Sequence, residues 1–317
     1  MIVVLTHEQI REMIKNFFYI PTGSIKLDEI LQGGIRSNAL HELSGLSGSG
    51  KTQMCFELMF NAVTSTEGFL NNSTAVYIGS KKSFFPERIK HFVNRYNKDK
   101  GTELDPETVL KKIMFKQVND FDELAFTVHY LHSLIVTCKN HKNIRLIVFD
   151  TFSAPFRELR GYERTPQIYE LTSVLGGLAQ DFNIPIVLSC DMTPIQYRTD
   201  DTNEKKIVMD TALGDHFAAR MSQRIELEKI EDDVIIVKVW KNCAGRGGLT
   251  TVKIDQESGI IDVPNTLKRK SEEEYQREVA EKRRERAEQK KEMAEKNKAE
   301  KYLRLYKKLP AVMDHGF

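Results

Sequence analysis

Cysteine, tryptophan and long apolar runs are all scarce in this chain. Its 317 residues hold one Trp and four Cys, at positions 55, 138, 190 and 243, with no CxxC pair. Thiols this sparse do not build a disulfide framework, so a reducing compartment is expected. No stretch approaches the roughly 18 consecutive apolar residues of a membrane helix, and residues 1–5 form too short a run for a secretory leader. A soluble intracellular protein with no membrane partner is the expectation. An excess of one charge is missing too: 47 Lys+Arg stand against 45 Asp+Glu. Residues 268–309 carry 16 basic and 10 acidic residues, which leaves the body slightly acidic. A surface basic all over is therefore excluded, and any polyanion must be met by local sites or by the tail.

What is present is a strand and helix alternation. Val- and Ile-rich runs at 75–78, 144–149 and 184–190 alternate poorly between apolar and polar, as strands buried on both faces do. Between them, Phe121, Leu124, Ala125, Val128, Leu131, Leu134 and Ile135 fall at spacings of three and four, which predicts a helix over 121–138. Strands and helices taking turns imply a parallel sheet with crossover helices. After Leu213 the texture changes: 224–230, 234–242 and 250–255 read as consecutive strands joined by short polar turns, an antiparallel extension of that sheet. The fold class expected is therefore α/β, with a mostly parallel central sheet extended by antiparallel strands. The stretch 268–309 is rich in Glu, Lys, Arg, Ala and Gln with i, i+4 pairs such as Glu278/Lys282, so a charged C-terminal helix or flexible tail is expected there.

The chemistry begins at Gly45-Leu46-Ser47-Gly48-Ser49-Gly50-Lys51-Thr52, which satisfies GxxxxGK[ST] at every fixed position. It follows the apolar run 40–43 and opens a helical stretch, the strand, loop and helix context that a phosphate loop requires. Glycines let backbone N–H groups wrap phosphates, and the helix N-terminus adds a favourable field. Lys51 is expected to bridge the terminal phosphates of a nucleotide, and Thr52 to ligate Mg²⁺. The second half of such a site is a carboxylate ending a neighbouring buried strand, and Asp150 supplies it as a further Mg²⁺ ligand. His129, His132, Cys138 and His141 lie close enough in sequence to suggest zinc. The two helical histidines, however, fit the edge of an apolar helix without any metal.

These residues also carry a resemblance. Pro21-Thr22-Gly23-Ser24, Leu27-Asp28, Leu31-Gln32-Gly33-Gly34-Ile35, the phosphate loop, Ala75-Val76-Tyr77-Ile78 and Phe84-Phe85-Pro86-Glu87-Arg88-Ile89 are similar to RecA-like recombinases of the eukaryotic and archaeal type. The Asp150 strand, 184–189, Leu213-Gly214 and Arg224-Ile225-Glu226-Leu227 continue the similarity, which runs from residue 20 to about 262. The resemblance implies a RecA-like ATPase core over 21–266, a strand or linker at 1–20 and a charged tail at 267–317. It further implies a recombinase paralogue of the nucleus that binds ATP and Mg²⁺, assists homologous recombination and DNA repair, associates with another paralogue and acts on recombinase filaments on single-stranded DNA.

Departures from the pattern modify that expectation. Active members carry an Asp-Thr-Glu tripeptide after the strand equivalent to 75–78, and its Glu polarises the attacking water. Here the sequence reads Gly79-Ser80-Lys81, and an ammonium at Lys81 accepts no proton. Hydrolysis slower by roughly 10² to 10⁴ is expected, with ATP binding retained. The family's Gln after the strand equivalent to 184–189, which reports the γ-phosphate to the DNA-binding loop, is replaced by Cys190-Asp191, so weak coupling between nucleotide and DNA is expected. The helical DNA-binding domain of full recombinases is not expected in the twenty residues before Pro21, and Val3, Val4 and Leu5 stand as a degenerate version of the strand that docks on a neighbour. The family's DNA-facing loops correspond to 156–164, offering Arg157, Arg160, Tyr162 and Arg164, and to 192–210, offering Arg198, Lys205 and Lys206 among acidic residues. Three rivals stand beside this reading. An active DNA-stimulated strand-exchange ATPase would need another carboxylate, such as Glu87. A scaffold would need no nucleotide, and a small-molecule P-loop kinase finds no lid-like Arg cluster here.

Overall fold

The computed structural model describes residues 6, 17–66, 68–79, 86–137, 143–198, 205–230, 234–255 and 259–263; of residues 137, 195–198, 205–208 and 255 only the backbone is described. The chain divides into two units, Met1–Val263 and Pro264–Phe317, and every described residue belongs to the first.

A two-stranded antiparallel ribbon, β1 (Tyr19–Ile20) with β2 (Ile35–Arg36), brackets helix α1 (Ile25–Leu31). Ser24 starts that helix by accepting a hydrogen bond from the Leu27 backbone N–H at 3.1 Å. Strand β3 (Ala39–Gly45) follows, buried along its whole length, and runs into helix α2 (Lys51–Thr64). Residues of α2 from Met54 to Val63 are buried on nearly every side, so this helix sits inside the molecule rather than on its surface. Then come β4 (Thr74–Gly79), α3 (Pro86–Lys100), α4 (Pro106–Lys111), β5 (Ile113–Gln117), α5 (Phe121–Thr137), β6 (Ile144–Asp150) and α6 (Gly161–Asp181). The remainder is β7 (Pro185–Arg198), β8 (Lys205–Thr211), α7 (Gly214–Arg220), β9 (Gln223–Lys229), β10 (Val234–Asn242), β11 (Gly248–Asp255) and β12 (Gly259–Asp262).

Among the described residues one large sheet runs in the order β12-β11-β10-β9-β3-β7-β6-β4-β5. From β9 to β5 all neighbours are parallel, while β9 to β12 pair antiparallel as successive strands. The α/β class and its antiparallel extension therefore stand as expected. Each face of the sheet carries an apolar cluster. One packs Met54, Phe56, Phe60 and Phe92 from α2 and α3 against Tyr77, Val148 and Val187. The opposite cluster gathers Leu124, Val128 and Leu131 of α5 with Leu171 and Leu175 of α6 over Ile147 and Ile186. Strands covered on both faces explain why the sequence shows continuous apolar runs rather than alternation.

Two expected loops have regular structure instead. The segment 156–164 begins inside a 3-10 turn (Pro155–Glu158) and ends in the first turn of α6, where Glu163 accepts from the Arg160 backbone N–H at 3.3 Å. The segment 192–210 is largely a hairpin: β7 runs on to Arg198 and pairs with β8, from Met192 opposite Thr211 to Arg198 opposite Lys205. Alternating β-branched and aromatic residues such as Thr193, Ile195 and Tyr197 favour that extension.

His41 of β3 gives the fold a pH dependence. It is wholly buried and donates from Nε2 to the Arg36 carbonyl oxygen at 2.7 Å. Burial, reinforced by the nearby Arg36 charge, pushes its pKa from 6.5 down to about 4. The folded state thus resists a proton that the unfolded chain accepts near pH 6.5. The associated stability is full above that value and is lost as pH falls toward 4, by roughly 3 kcal/mol. Substituting His41→Gln, which keeps a donor, is expected to remove this component. Urea midpoints of both proteins at pH 7 and pH 4.5 check it, and a gap between them that stays constant with pH would refute the assignment.

Candidate functional site

The phosphate loop lies at the C-terminal end of β3, between β7 and β9, and leads straight into α2. Two of its glycines are structurally required. A Cβ on Gly45 would lie 2.6 Å from the Leu227 carbonyl oxygen, so no larger residue fits there without moving the sheet. Gly50 has φ +97° and a Cβ on it would meet Ile254 Cδ1 at 2.5 Å, combining left-handed backbone with a crowded wall.

Lys51 is buried at the start of α2, and its Nζ donates to the carbonyl oxygens of Gly45 at 2.8 Å and Leu46 at 3.1 Å. Thr52 Oγ1 donates to Asp150 Oδ2 at 2.8 Å, joining the helix start to the end of β6. Tyr77, fully buried on β4, donates its hydroxyl to the same Asp150 oxygen at 2.7 Å. The Asp150–Thr151 peptide is cis. Asp191, far along β7, lies 3.4 Å from Lys51 Nζ and 2.6 Å from Arg157 Nη2. On the other side Arg88 Nη1 donates to Gln53 Oε1 at 2.7 Å.

These groups surround a cavity of about 710 Å³ whose walls include residues 47–53, Arg88, Asp150, Thr151, Asp191, Lys229, Ile235 and Ile254. A nucleoside triphosphate with Mg²⁺ fits its donor set. Ser49 Oγ and Gln53 Nε2 are buried without a hydrogen-bond partner while lining the cavity, and both can donate to phosphate oxygen. Thr52 and Asp150 are hard oxygen donors held together, the pair a small divalent cation prefers.

The residues expected from the sequence fare unequally in the structure. Gly45, Leu46, Ser47, Gly48, Ser49, Gly50, Lys51, Thr52 and Asp150 come together in one place. Lys81, Val3, Val4 and Leu5 lie outside the described residues. Glu87 is in the first turn of α3, but it is its neighbour Arg88 that lines the cavity. Tyr162 and Arg160 are exposed near the start of α6, and Arg157 is exposed on the turn before it. Arg164 instead reaches back to the Ala212 carbonyl oxygen, which fastens α6 to the chain just after β8. Arg198 pairs with Lys205, and Lys206 with Tyr197, along the hairpin backbone, and nothing of their side chains is described. His129 lies 3.3 Å from Glu170 and His132 packs edge-on against Phe182, while Cys138 and His141 lie outside the described residues.

Lys229, Ile235 and Ile254 are site residues that motif spacing does not single out; Tyr77 lies in the 75–78 segment of the resemblance, and Arg157 and Asp191 are read from the sequence in other roles. Arg88 was within reach, since it belongs to the 84–89 segment that carries the resemblance.

A doubly covered parallel sheet with an antiparallel extension, and a phosphate loop at the head of its central helix, defines the class as a RecA-like P-loop α/β protein. The Rad51 family model matches residues 13–263, and the chain belongs to that family. It is 28% identical over 249 residues to the mouse protein named meiotic recombination protein DMC1/LIM15 homolog, covering 74% of this chain and 68% of that one. The human protein of the same name is 27% identical over the same shares. The DNA repair and recombination protein RadA of Aeropyrum pernix is 33% identical over 180 residues, which span 55% of this chain and 53% of RadA.

Proposed function

We propose that this chain acts in homologous recombination as an ATP- and Mg²⁺-binding recombinase paralogue, one that associates with a related chain and supports recombinase filaments on single-stranded DNA in the nucleus. The observation that carries the proposal is the convergence of Lys51, Thr52 and Asp150 on one cavity, where the buried donors Ser49 Oγ and Gln53 Nε2 have no protein partner and could be satisfied by phosphate. Family membership and the recombination that the names of DMC1 and RadA state support the pathway. Backbone N–H groups of 47–51 and the Lys51 ammonium would hold the phosphates, and Thr52 and Asp150 the Mg²⁺. When bound, the cation supplies charge neutralisation at the phosphate oxygens.

The same cavity suggests why nucleotide would favour assembly. Its walls combine the phosphate loop with Lys229, Ile235 and Ile254 of the antiparallel extension, so a nucleotide would brace two parts of the sheet, order a surface that meets a partner chain and stabilise the assembled form by mass action. Turnover is secondary in this reading. Lys81 replaces the water-polarising Glu of active members, and among the described residues that line the cavity the carboxylates are Asp150 and Asp191. Asp150 is engaged by Thr52 and Tyr77, and Asp191 by Lys51 and Arg157, which leaves neither placed as an unencumbered base. Exposed Arg160 and Tyr162 are the groups offered to single-stranded DNA, by phosphate contact and base stacking, while Arg157 of the same segment is paired with Asp191.

Phosphate release from purified protein with saturating Mg-ATP tests the reading. The expected rate is about 10² or more below the ordinary enzyme range of ~1 s⁻¹, with or without single-stranded DNA. DNA-stimulated release at ~1 s⁻¹ or faster would establish the active strand-exchange ATPase instead.

A further inference from the structure

Asp191 stands opposite Gly45, the first residue of the phosphate loop, in the parallel register of β3 and β7. Its backbone N–H donates to Ser153 Oγ at 2.9 Å, which fixes the root of the side chain. One carboxylate oxygen lies 3.4 Å from Lys51 Nζ, and the other lies 2.6 Å from Arg157 Nη2. A single anion is therefore shared by two cations in unlike surroundings: the Lys51 side chain is 8% exposed and that of Arg157 61%.

Electrostatics gives this arrangement a direction. A phosphate chain gripped by Lys51 competes with Asp191 for the same ammonium and brings its own negative charge toward the carboxylate. In a partly buried cleft such charges interact several times more strongly than in bulk water. The repulsion grows with the charge at the Lys51 end of the nucleotide and is insensitive to the nucleoside end. Arg157 works the other way, because it neutralises Asp191 once Lys51 has turned to phosphate.

We propose that Asp191 is a resident counter-anion of the phosphate loop that sets its nucleotide preference. It holds Lys51 when no polyphosphate is bound, penalises a triphosphate more than a diphosphate, and has Arg157 as the cation that limits the penalty. Asp191 is thus a specificity-determining residue, and Arg157 a positioning residue that acts through it. The proposal rests on the nucleotide-binding reading and deepens it.

Calorimetric titration of the full chain with Mg-ATP and Mg-ADP is the test, on wild type, Asp191→Asn, Arg157→Gln and the double variant. Asp191→Asn is expected to tighten ATP about tenfold and ADP by less than about threefold. Arg157→Gln is expected to weaken ATP about threefold in the wild-type background and measurably less in the Asn background, the signature of coupling through Asp191. If the Asn variant does not fold, Asp191→Ser removes the same charge. An unchanged ATP-to-ADP affinity ratio, or an Arg157→Gln effect of equal size in both backgrounds, overturns the proposal while leaving nucleotide binding intact. Absence of binding by wild type and Asp191→Asn alike sinks both.

Discussion

Replacing Lys51 with alanine is expected to weaken Mg-ATP binding by roughly 30- to 1,000-fold, the loss of charge-assisted hydrogen bonds to phosphate worth about 2–4 kcal/mol. The ammonium is buried at the head of α2, fastened by the Gly45 and Leu46 carbonyl oxygens, and so is delivered to the cavity already oriented. Among the described residues near the loop, Arg88 bonds Gln53 on the far wall and Arg157 pairs with Asp191 at the surface. Titration with a fluorescent ATP analogue measures the effect, and an affinity within threefold of wild type would contradict the assignment of this loop as the phosphate grip. The same variant separates the assembly reading from the scaffold. If ATP stabilises the associated form by mass action, Lys51→Ala lowers partner binding at saturating ATP and not in its absence. A scaffold that ignores nucleotide would bind its partner equally in all four conditions.

Removing Arg224 is expected to destabilise the fold by about 3–5 kcal/mol. Glu42 is fully buried on β3, and Arg224 of β9 donates to its carboxylate from Nε at 2.6 Å while lying 3.6 Å from Asp210. Burial pushes the Glu42 carboxyl up, and the Arg224 charge is what pulls it back. Arg224→Ala leaves an uncompensated carboxylate inside the sheet, at a cost of about 3–5 kcal/mol. The deficit has a definite pH sign. A carboxyl whose folded pKa is raised above its unfolded value binds its proton more tightly when folded, so stability is regained as pH falls through the folded pKa and lost as pH rises. The gap to wild type should therefore be largest near pH 7 and narrow toward pH 5 in urea unfolding. A gap below about 1 kcal/mol, or one that does not move with pH, would mean the pair behaves like an exposed ion pair. Restoring neutrality with Glu42→Gln alongside Arg224→Ala should recover part of the loss, because an uncharged amide is cheaper to bury.

What could be read from the sequence divides along a physical line. Strand β10 begins and ends where its apolar pattern does, β4, β6 and helix α5 agree within about two residues, and the phosphate loop is where its glycines put it. Each of these depends on local spacing, and the resemblance then supplied the order of the elements. Asp150 is intermediate: a strand-ending carboxylate is legible, but its bonds to Thr52 and to Tyr77 follow from the register of β4 beside β6. The Lys51, Asp191 and Arg157 cluster was beyond reach, since it requires β7 to lie beside β3 with Asp191 opposite Gly45. No periodicity encodes that register. The same holds for Ile235 and Ile254, which crowd Gly50 only because the antiparallel strands extend the sheet beyond β9 on that side of the loop.

That last packing also dictates a timetable. Strand β3 is laid down early in the chain, yet the strands on its two sides begin at Pro185 and Gln223, and the isoleucine nearest Gly50 is residue 254. During translation the glycine-rich turn must leave the ribosome long before its flanks exist, and a nascent chain cannot assemble the pocket until almost the whole core has emerged. On the proposed nucleotide-binding reading, capture would be among the last events of maturation and would report that the core has closed correctly.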